Sequence, residues 1–195
     1  MKQVLVIGGG VAAKGFLSSA VKFYTDTKFT FIRKNKKGPV PCGIPYAFGT
    51  LESPYDNVSP DDDLLKAGVE LIIDEVTDVN SKEKLVKLQN NKDLKYDKLV
   101  FAVGADSIVP PFPGKELENI LVLEKDLDVV NKQKGLINNA QDIVIIGGGF
   151  IGVELADEIK NIKGKNVTII ELAKNCLSAA FDEEYCASAE SILKD

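Results

Sequence analysis

Ile143-Val144-Ile145-Ile146-Gly147-Gly148-Gly149-Phe150-Ile151-Gly152 decides how this chain is read. Four apolar residues rich in β-branching, with no polar interruption, make a strand that a parallel sheet buries on both faces. Glycines at 147, 149 and 152 follow in G-x-G-x-x-G spacing. The first allows a tight turn, the second lets backbone approach a pyrophosphate, and the third lets helix and strand pack closely. Ile151, Leu155, Ala156 and Ile159 then share one face of a helix, and Val167-Thr168-Ile169-Ile170 returns as a second strand. A diphosphate fits such a turn because the free N–H groups of the helix start carry the positive end of its dipole.

The same pattern opens the chain. Val4-Leu5-Val6-Ile7 runs into Gly8-Gly9-Gly10-Val11-Ala12-Ala13, a helix follows with Phe16, Leu17, Ala20 and Val21 on its apolar face, and Phe29-Thr30-Phe31-Ile32 is the next strand. Ala13 stands where the third glycine would be, a replacement the motif tolerates. Two strand–turn–helix–strand units predict an α/β fold with two Rossmann-like dinucleotide-binding units and two nucleotide sites. The residue after each second strand discriminates ligands, since a carboxylate there accepts ribose hydroxyls and repels a 2′-phosphate. Glu171 fills that place in the second unit and favours NADH over NADPH. The first unit has Arg33, whose guanidinium has no acceptor and would instead donate to ribose oxygens or stack on adenine.

Composition narrows the chemistry. The 195 residues carry a net charge of −5, which argues against a nucleic-acid partner. No apolar run reaches a membrane span and no export signal is evident at the N-terminus, so a cytoplasmic protein is expected. With 0 histidines there is no imidazole catalysis and no His-ligated metal, and Cys42, Cys176 and Cys186 are too scattered for a disulfide framework or a zinc cage. No metal site is expected. Carboxylates, lysines, a thiol and a borrowed cofactor remain.

Between the repeats, Arg33-Lys34-Asn35-Lys36-Lys37 places four cations in five residues, and Pro39, Pro41 and Pro45 bracket Cys42. Prolines stiffen the loop around the thiol, and nearby cations favour thiolate. The residues alone leave a second reading open, a solvated basic loop followed by a buried structural cysteine. Tyr46 beside it either walls a cofactor or fills core. Ser59-Pro60-Asp61-Asp62-Asp63 predicts a helix with Ser59 as cap and Pro60 at its first position. Short alternating strands follow over 69–100, and Pro110-Pro111-Phe112-Pro113-Gly114 predicts a linker, giving domains 1–110 and 111–195. Cys176 and Cys186 are expected to serve packing or surface rather than redox chemistry.

The two glycine turns, Pro41-Cys42-Gly43-Ile44-Pro45-Tyr46, Ala102-Val103-Gly104-Ala105 and Gly147 to Glu154 together resemble the pyridine nucleotide–disulfide oxidoreductase superfamily. The loop is similar to its single-cysteine branch, which includes coenzyme A-disulfide reductases, CoA-persulfide reductases and NADH oxidases and peroxidases. The dithiol branch has a second cysteine five residues on, where this chain has Ala47. The resemblance implies the FAD/NAD(P)-binding three-layer ββα fold, with FAD at the first site and NADH at the second. Gly8, Gly9, Gly10, Val11, Ala12 and Ala13 would meet FAD at its pyrophosphate, with Arg33 and Lys34 at the strand end, Val76 by adenine, and Ala102, Val103 and Gly104 along the cofactor. Gly147, Gly149 and Gly152 would hold NADH, Glu171 its adenosine ribose, Phe150 and Ile151 the nicotinamide–flavin contact, and Glu154 would orient the nicotinamide or the flavin-side network. Cys42 would be the redox-active center, acting on a CoA-linked disulfide or persulfide, or on oxygen or peroxide as a sulfenic acid. Arg33 for the ribose-binding acid, Val103 for a threonine and Gly38 for a serine depart from the family pattern. The family's chains are more than twice as long and their full-length form is a homodimer. The resemblance therefore makes the second nucleotide unit incomplete and the chain a fragment. A non-catalytic nucleotide-binding remnant is the alternative of a different class.

Overall fold

A computed structural model describes residues 1–194. Their elements run β1 (Lys2–Ile7), α1 (Val11–Phe23), β2 (Thr27–Arg33), β3 (Gly38–Pro39), β4 (Val58–Ser59), α2 (Asp62–Lys66), β5 (Glu70–Ile73), β6 (Val76–Asn80), β7 (Leu85–Leu88), β8 (Asp93–Lys95), β9 (Lys98–Phe101), α3 (Leu127–Asn139), β10 (Asp142–Ile146), α4 (Phe150–Lys160), β11 (Asn166–Ile170) and α5 (Glu183–Lys194). No described helix is long and apolar enough to cross a membrane. The chain divides into two compact units: Met1–Pro41 with Val58–Leu127, and Cys42–Asn57 with the residues from Asp128 onward.

The first unit has three layers, as the fold class requires. Its central sheet is parallel, in the order β5-β2-β1-β9. Strand periodicity sorts the apolar side chains onto two faces. Val6, Phe29 and Phe31 point to one face, where Ala13, Leu17 and Ala20 of α1 and Leu64 of α2 close over them. Leu5, Ile7 and Ile32 point to the other, against Val86 and Leu88 of the antiparallel β6-β7-β8 meander. The run Leu5-Val6-Ile7 is apolar throughout because both faces are covered. Between β7 and β8 Asn91 takes a positive φ of 62°, and the chain reverses tightly enough for Asp93 to pair with Lys87.

In the second unit β10 and β11 pair in parallel, Asp142 opposite Asn166 through Ile146 opposite Ile170. Here the expectation of two buried faces fails. Val144, Ile146 and Ile170 stay 54–57% exposed, because α4 covers only the opposite face and no second layer follows among the described residues. The nucleotide unit is incomplete in this physical sense. Lys165 Nζ stops α3 by donating to the carbonyls of Ile137, Asn138 and Ala140 at 2.5–2.8 Å, taking up orphan acceptors of the last turn.

Two boundaries differ from those the sequence predicts. The proline-rich stretch at 110–114 does not separate the units. Lys125 Nζ donates to the Ala105 carbonyl at 2.7 Å and Ser107 Oγ to the Leu123 carbonyl at 2.6 Å, which keeps 105–125 within the first unit. The helix predicted from Ser59 begins at Asp62, with Asp61 as its N-cap residue. Ser59 does not cap, since its hydroxyl and carbonyl accept from Lys14 Nζ at 2.9 and 2.7 Å.

Candidate functional site

The two glycine turns superimpose in their bonding. Gly8 N–H donates to the Ile32 carbonyl at 2.8 Å, and Gly147 N–H donates to the Ile170 carbonyl at the same distance. Both first glycines hold positive φ, 123° and 106°, a region closed to most residues with a Cβ. Both helices start from extended residues, Gly10 at φ −82°, ψ −168° and Gly149 at φ −75°, ψ −173°, with no side-chain cap and no acid in the first turn. A Cβ at Gly10 or Gly149 would meet nothing within 4 Å. Each helix therefore opens onto free space with uncapped N–H donors, the arrangement that accepts a dinucleotide diphosphate.

The remaining motif positions have packing reasons. A Cβ at Gly152 would lie 1.9 Å from the Gly147 carbonyl oxygen, so helix and turn close up only around a hydrogen. In the first unit the same position admits Ala13, whose methyl is fully buried in the core. The middle glycines are the feature the motif spacing does not reveal. Gly9 lies against the Arg33 side chain, its notional Cβ 2.4 Å from Cδ, and Gly148 lies against Cys176, its notional Cβ 2.6 Å from Sγ. Ala102 donates its N–H to the Ile7 carbonyl at 2.8 Å, and its own carbonyl faces Gly8, so the 102–104 segment borders the first turn. Val11, Ala12, Val103, Gly104, Phe150, Ile151 and Glu154 are exposed around the turns, and Phe150 meets Phe181 edge-on at 5.7 Å. Val76 is half-buried on β6.

The strand-end residues separate the two copies. Glu171 Oε1 accepts from Ala173 N–H at 2.8 Å and Oε2 from Gly148 N–H at 2.6 Å. These backbone donors, Ala173 first, hold its carboxyl below the usual range. The carboxylate is thus fixed at the lip of the second turn. Arg33 is 93% buried and turned away from such a task. Its Nη1 and Nη2 donate to Asp61 Oδ1 and Oδ2 at 2.9 and 2.6 Å, Nη2 also to the Lys36 carbonyl, and Nε to the Asn35 carbonyl. Lys14 Nζ lies 2.7 Å from Asp61 Oδ1. The ribose donation or adenine stacking expected of Arg33 gives way to an internal Lys14–Asp61–Arg33 clamp. Burial pushes the Asp61 carboxyl up, but the hydrogen bonds and charges of Arg33 and Lys14 outweigh it and hold the group below its ordinary value. Lys34 pairs with Glu75 at 3.0 Å. The basic stretch therefore offers Lys34, Lys36 and Lys37, not four cations, to a ligand among the described residues, and Lys34 shares its charge with Glu75 on the surface.

Cys42 sits in a 3₁₀ turn, Pro41–Gly43, as an exposed free thiol, which removes the reading of a buried structural cysteine. Tyr46 is 49% exposed and does not fill core, whereas Ile44, Ala47 and Phe48 are buried. Cys176 and Cys186 are buried free thiols; burial and then the neighbouring carboxylates of Glu190 and Glu171 push Cys176 up.

The profile of the pyridine nucleotide-disulphide oxidoreductase family matches residues 2–195. The chain belongs to this family. It is 32% identical over 99% of its length to an NAD(P)H coenzyme A polysulfide/persulfide reductase of Pyrococcus horikoshii, of which it covers 44%. It is 27% identical over 98% of its length to an NADH oxidase of Methanocaldococcus jannaschii, covering 45% of that protein. The solved structure of an NAD-dependent persulfide reductase from A. fulgidus matches with TM-score 0.88 and 28% identity, over 98% of this chain and 38% of that one. The chain thus spans less than half the length of these relatives.

Proposed function

We propose that this chain is the dinucleotide-binding portion of an NADH-dependent flavoprotein that reduces a CoA-linked disulfide or persulfide through Cys42. The observation that carries the reading is the duplicated turn: two uncapped helix starts with matched bonding and open space at Gly10 and Gly149. The first would hold FAD and the second NADH, with Glu171 selecting the unphosphorylated ribose. Together these cofactors supply the electron pair that returns an oxidised sulfur to thiol. The chain's own contribution is the nucleophile. The exposed sulfur of Cys42 attacks one sulfur of the substrate disulfide, forms the mixed disulfide, and releases the other half as CoA thiolate. Lys36 and Lys37 attract the phosphates of CoA to that loop. The Pyrococcus relative supports this substrate class.

A second reading is oxidase or peroxidase chemistry through a Cys42 sulfenic acid, which the named activity of the Methanocaldococcus relative favours. An anaerobic NADH titration of the FAD-loaded chain, followed by product analysis with CoA disulfide and with oxygen, tests both. Flavin bleaching by NADH with release of CoA thiol, slowed by added salt, is the expected result. Peroxide or water as the only product selects the oxidase reading, and a chain that binds nucleotide without bleaching is a non-catalytic remnant.

A further inference from the structure

Glu158 is the buried charge that the reading above leaves unused. It lies on α4, 94% buried, and among the described residues no cation pairs with it. Burying a carboxylate without a cation is costly unless strong donors compensate. Both donors come from one residue of the Cys42 segment: Thr50 N–H reaches Oε2 at 2.7 Å and Thr50 Oγ1 reaches Oε1 at 3.1 Å. Next to it Gly49 approaches the helix so closely that a Cβ would lie 2.3 Å from the Glu158 carbonyl oxygen. Further along, Lys134 Nζ of α3 donates to the carbonyls of Leu51 and Glu52 at 2.6 and 3.1 Å. Leu51 N–H donates back to the Tyr46 carbonyl at 2.8 Å, which ties the anchored stretch to the turn that follows Cys42.

We infer that Glu158 is the positioning residue of Cys42. Through Thr50 it seats the 42–57 segment on the helix that begins at the second glycine turn, and so fixes where the thiol stands. This rests on the reading of Cys42 as the redox thiol. The three cysteines make the test internal, since Cys42 is exposed while Cys176 and Cys186 are buried. The full chain and its Glu158→Gln, Gly49→Ala and Thr50→Val variants are alkylated with iodoacetamide over time, and each cysteine peptide is quantified by mass spectrometry. In Glu158→Gln the amide oxygen still accepts from the Thr50 N–H and the amide N–H can donate to Thr50 Oγ1, so two charge-assisted bonds are exchanged for two weaker neutral ones. Cys42 labelling is expected to rise at least fivefold in Glu158→Gln and Gly49→Ala and about twofold in the milder Thr50→Val, with Cys176 and Cys186 unchanged. In the FAD-loaded chain the same variants should lower kcat for CoA disulfide while the KM for NADH stays constant. Equal Cys42 labelling in all four proteins overturns the inference, and so does a parallel rise at all three cysteines, which reports general loosening. If the unsubstituted chain reduces no disulfide, the redox role of Cys42 fails, and the seating is decided by the labelling alone.

Discussion

Asp61→Asn removes one charge from a nearly dry triad. The side chains of Lys14, Asp61 and Arg33 retain 12%, 14% and 6% of their exposure, and Asp61 alone offsets both cations. Removing one member of a buried pair leaves an uncompensated charge, so the expected loss is about 3 kcal/mol. In a chain of this length that corresponds to a fall in Tm of roughly 6–12 °C. Arg33→Met should cost less, because Asp61 keeps Lys14, and Arg33→Met with Asp61→Leu should recover part of the loss. The acid dependence has a definite sign. The folded carboxyl lies below its unfolded value of 3.8, so its contribution is fully present above that value and disappears as the pH falls through the folded one. Thermal unfolding by far-UV circular dichroism at pH 7 and across pH 4.5 to 2.5 checks both. The wild type should lose stability faster than Asp61→Asn in the acid range. A loss under about 1 kcal/mol at pH 7, or parallel acid curves, would show a solvated triad and refute the clamp.

Cys42→Ser should abolish CoA-disulfide reduction while NADH still bleaches the bound flavin, read by thiol release and by anaerobic spectra. Glu171→Gln sets an amide N–H against backbone N–H groups and should weaken NADH about tenfold with little change for NADPH, measured by fluorescence titration. Because Glu171 lies below its ordinary 4.5, NADH affinity in the unsubstituted chain should stay level from pH 7 to that value and decline only beneath it. Gly152→Ala would force a methyl into the Gly147 carbonyl, 1.9 Å away, and should eliminate NADH binding. Ala13→Gly in the other copy should cost about 2 kcal/mol of stability, helix propensity and the buried methyl together, and leave the first turn competent, by calorimetry and flavin titration.

The parts of this protein governed by local backbone chemistry can be read directly from the residues. Gly8 and Gly147 need positive φ, Gly10 and Gly149 need an open face, and the apolar runs beside them need a sheet, so the duplicated unit follows from spacing alone. What could not be read depends on distant partners. The burial of Arg33 is set by Asp61, far along the chain, and that same ion pair diverts Asp61 from capping α2 with its side chain. The exposed face of β10 and β11 carries the residues of a buried strand, and their pattern says nothing of whether a covering layer is present. Glu158 reads in sequence as one more acid on an amphipathic helix. Only its meeting with Thr50, whose hydroxyl and N–H are unremarkable in themselves, gives it meaning.

The divergence of the copies follows from the middle glycines. In each turn that glycine rests on a side chain from the second strand's last residue or from the loop after it, and the chemistry of the strand-end residue decides what charge reaches the lip. At the second turn Glu171 folds back onto Gly148 N–H, so a fixed negative charge stands at the strand end, where on the reading proposed above it would accept a ribose hydroxyl and repel a phosphate. At the first turn Arg33 lays its alkyl chain against Gly9 and delivers its charge to Asp61, so the strand end contributes neither a free carboxylate nor a free cation. On that reading, selection by charge at the strand end would be confined to the second turn, and the first would hold its ligand through the helix start and the surrounding backbone. Restoring an acid at 33 would not restore the missing contact, because Arg33→Glu would set two carboxylates against each other beside Lys14 and spring the 58–61 segment from α1.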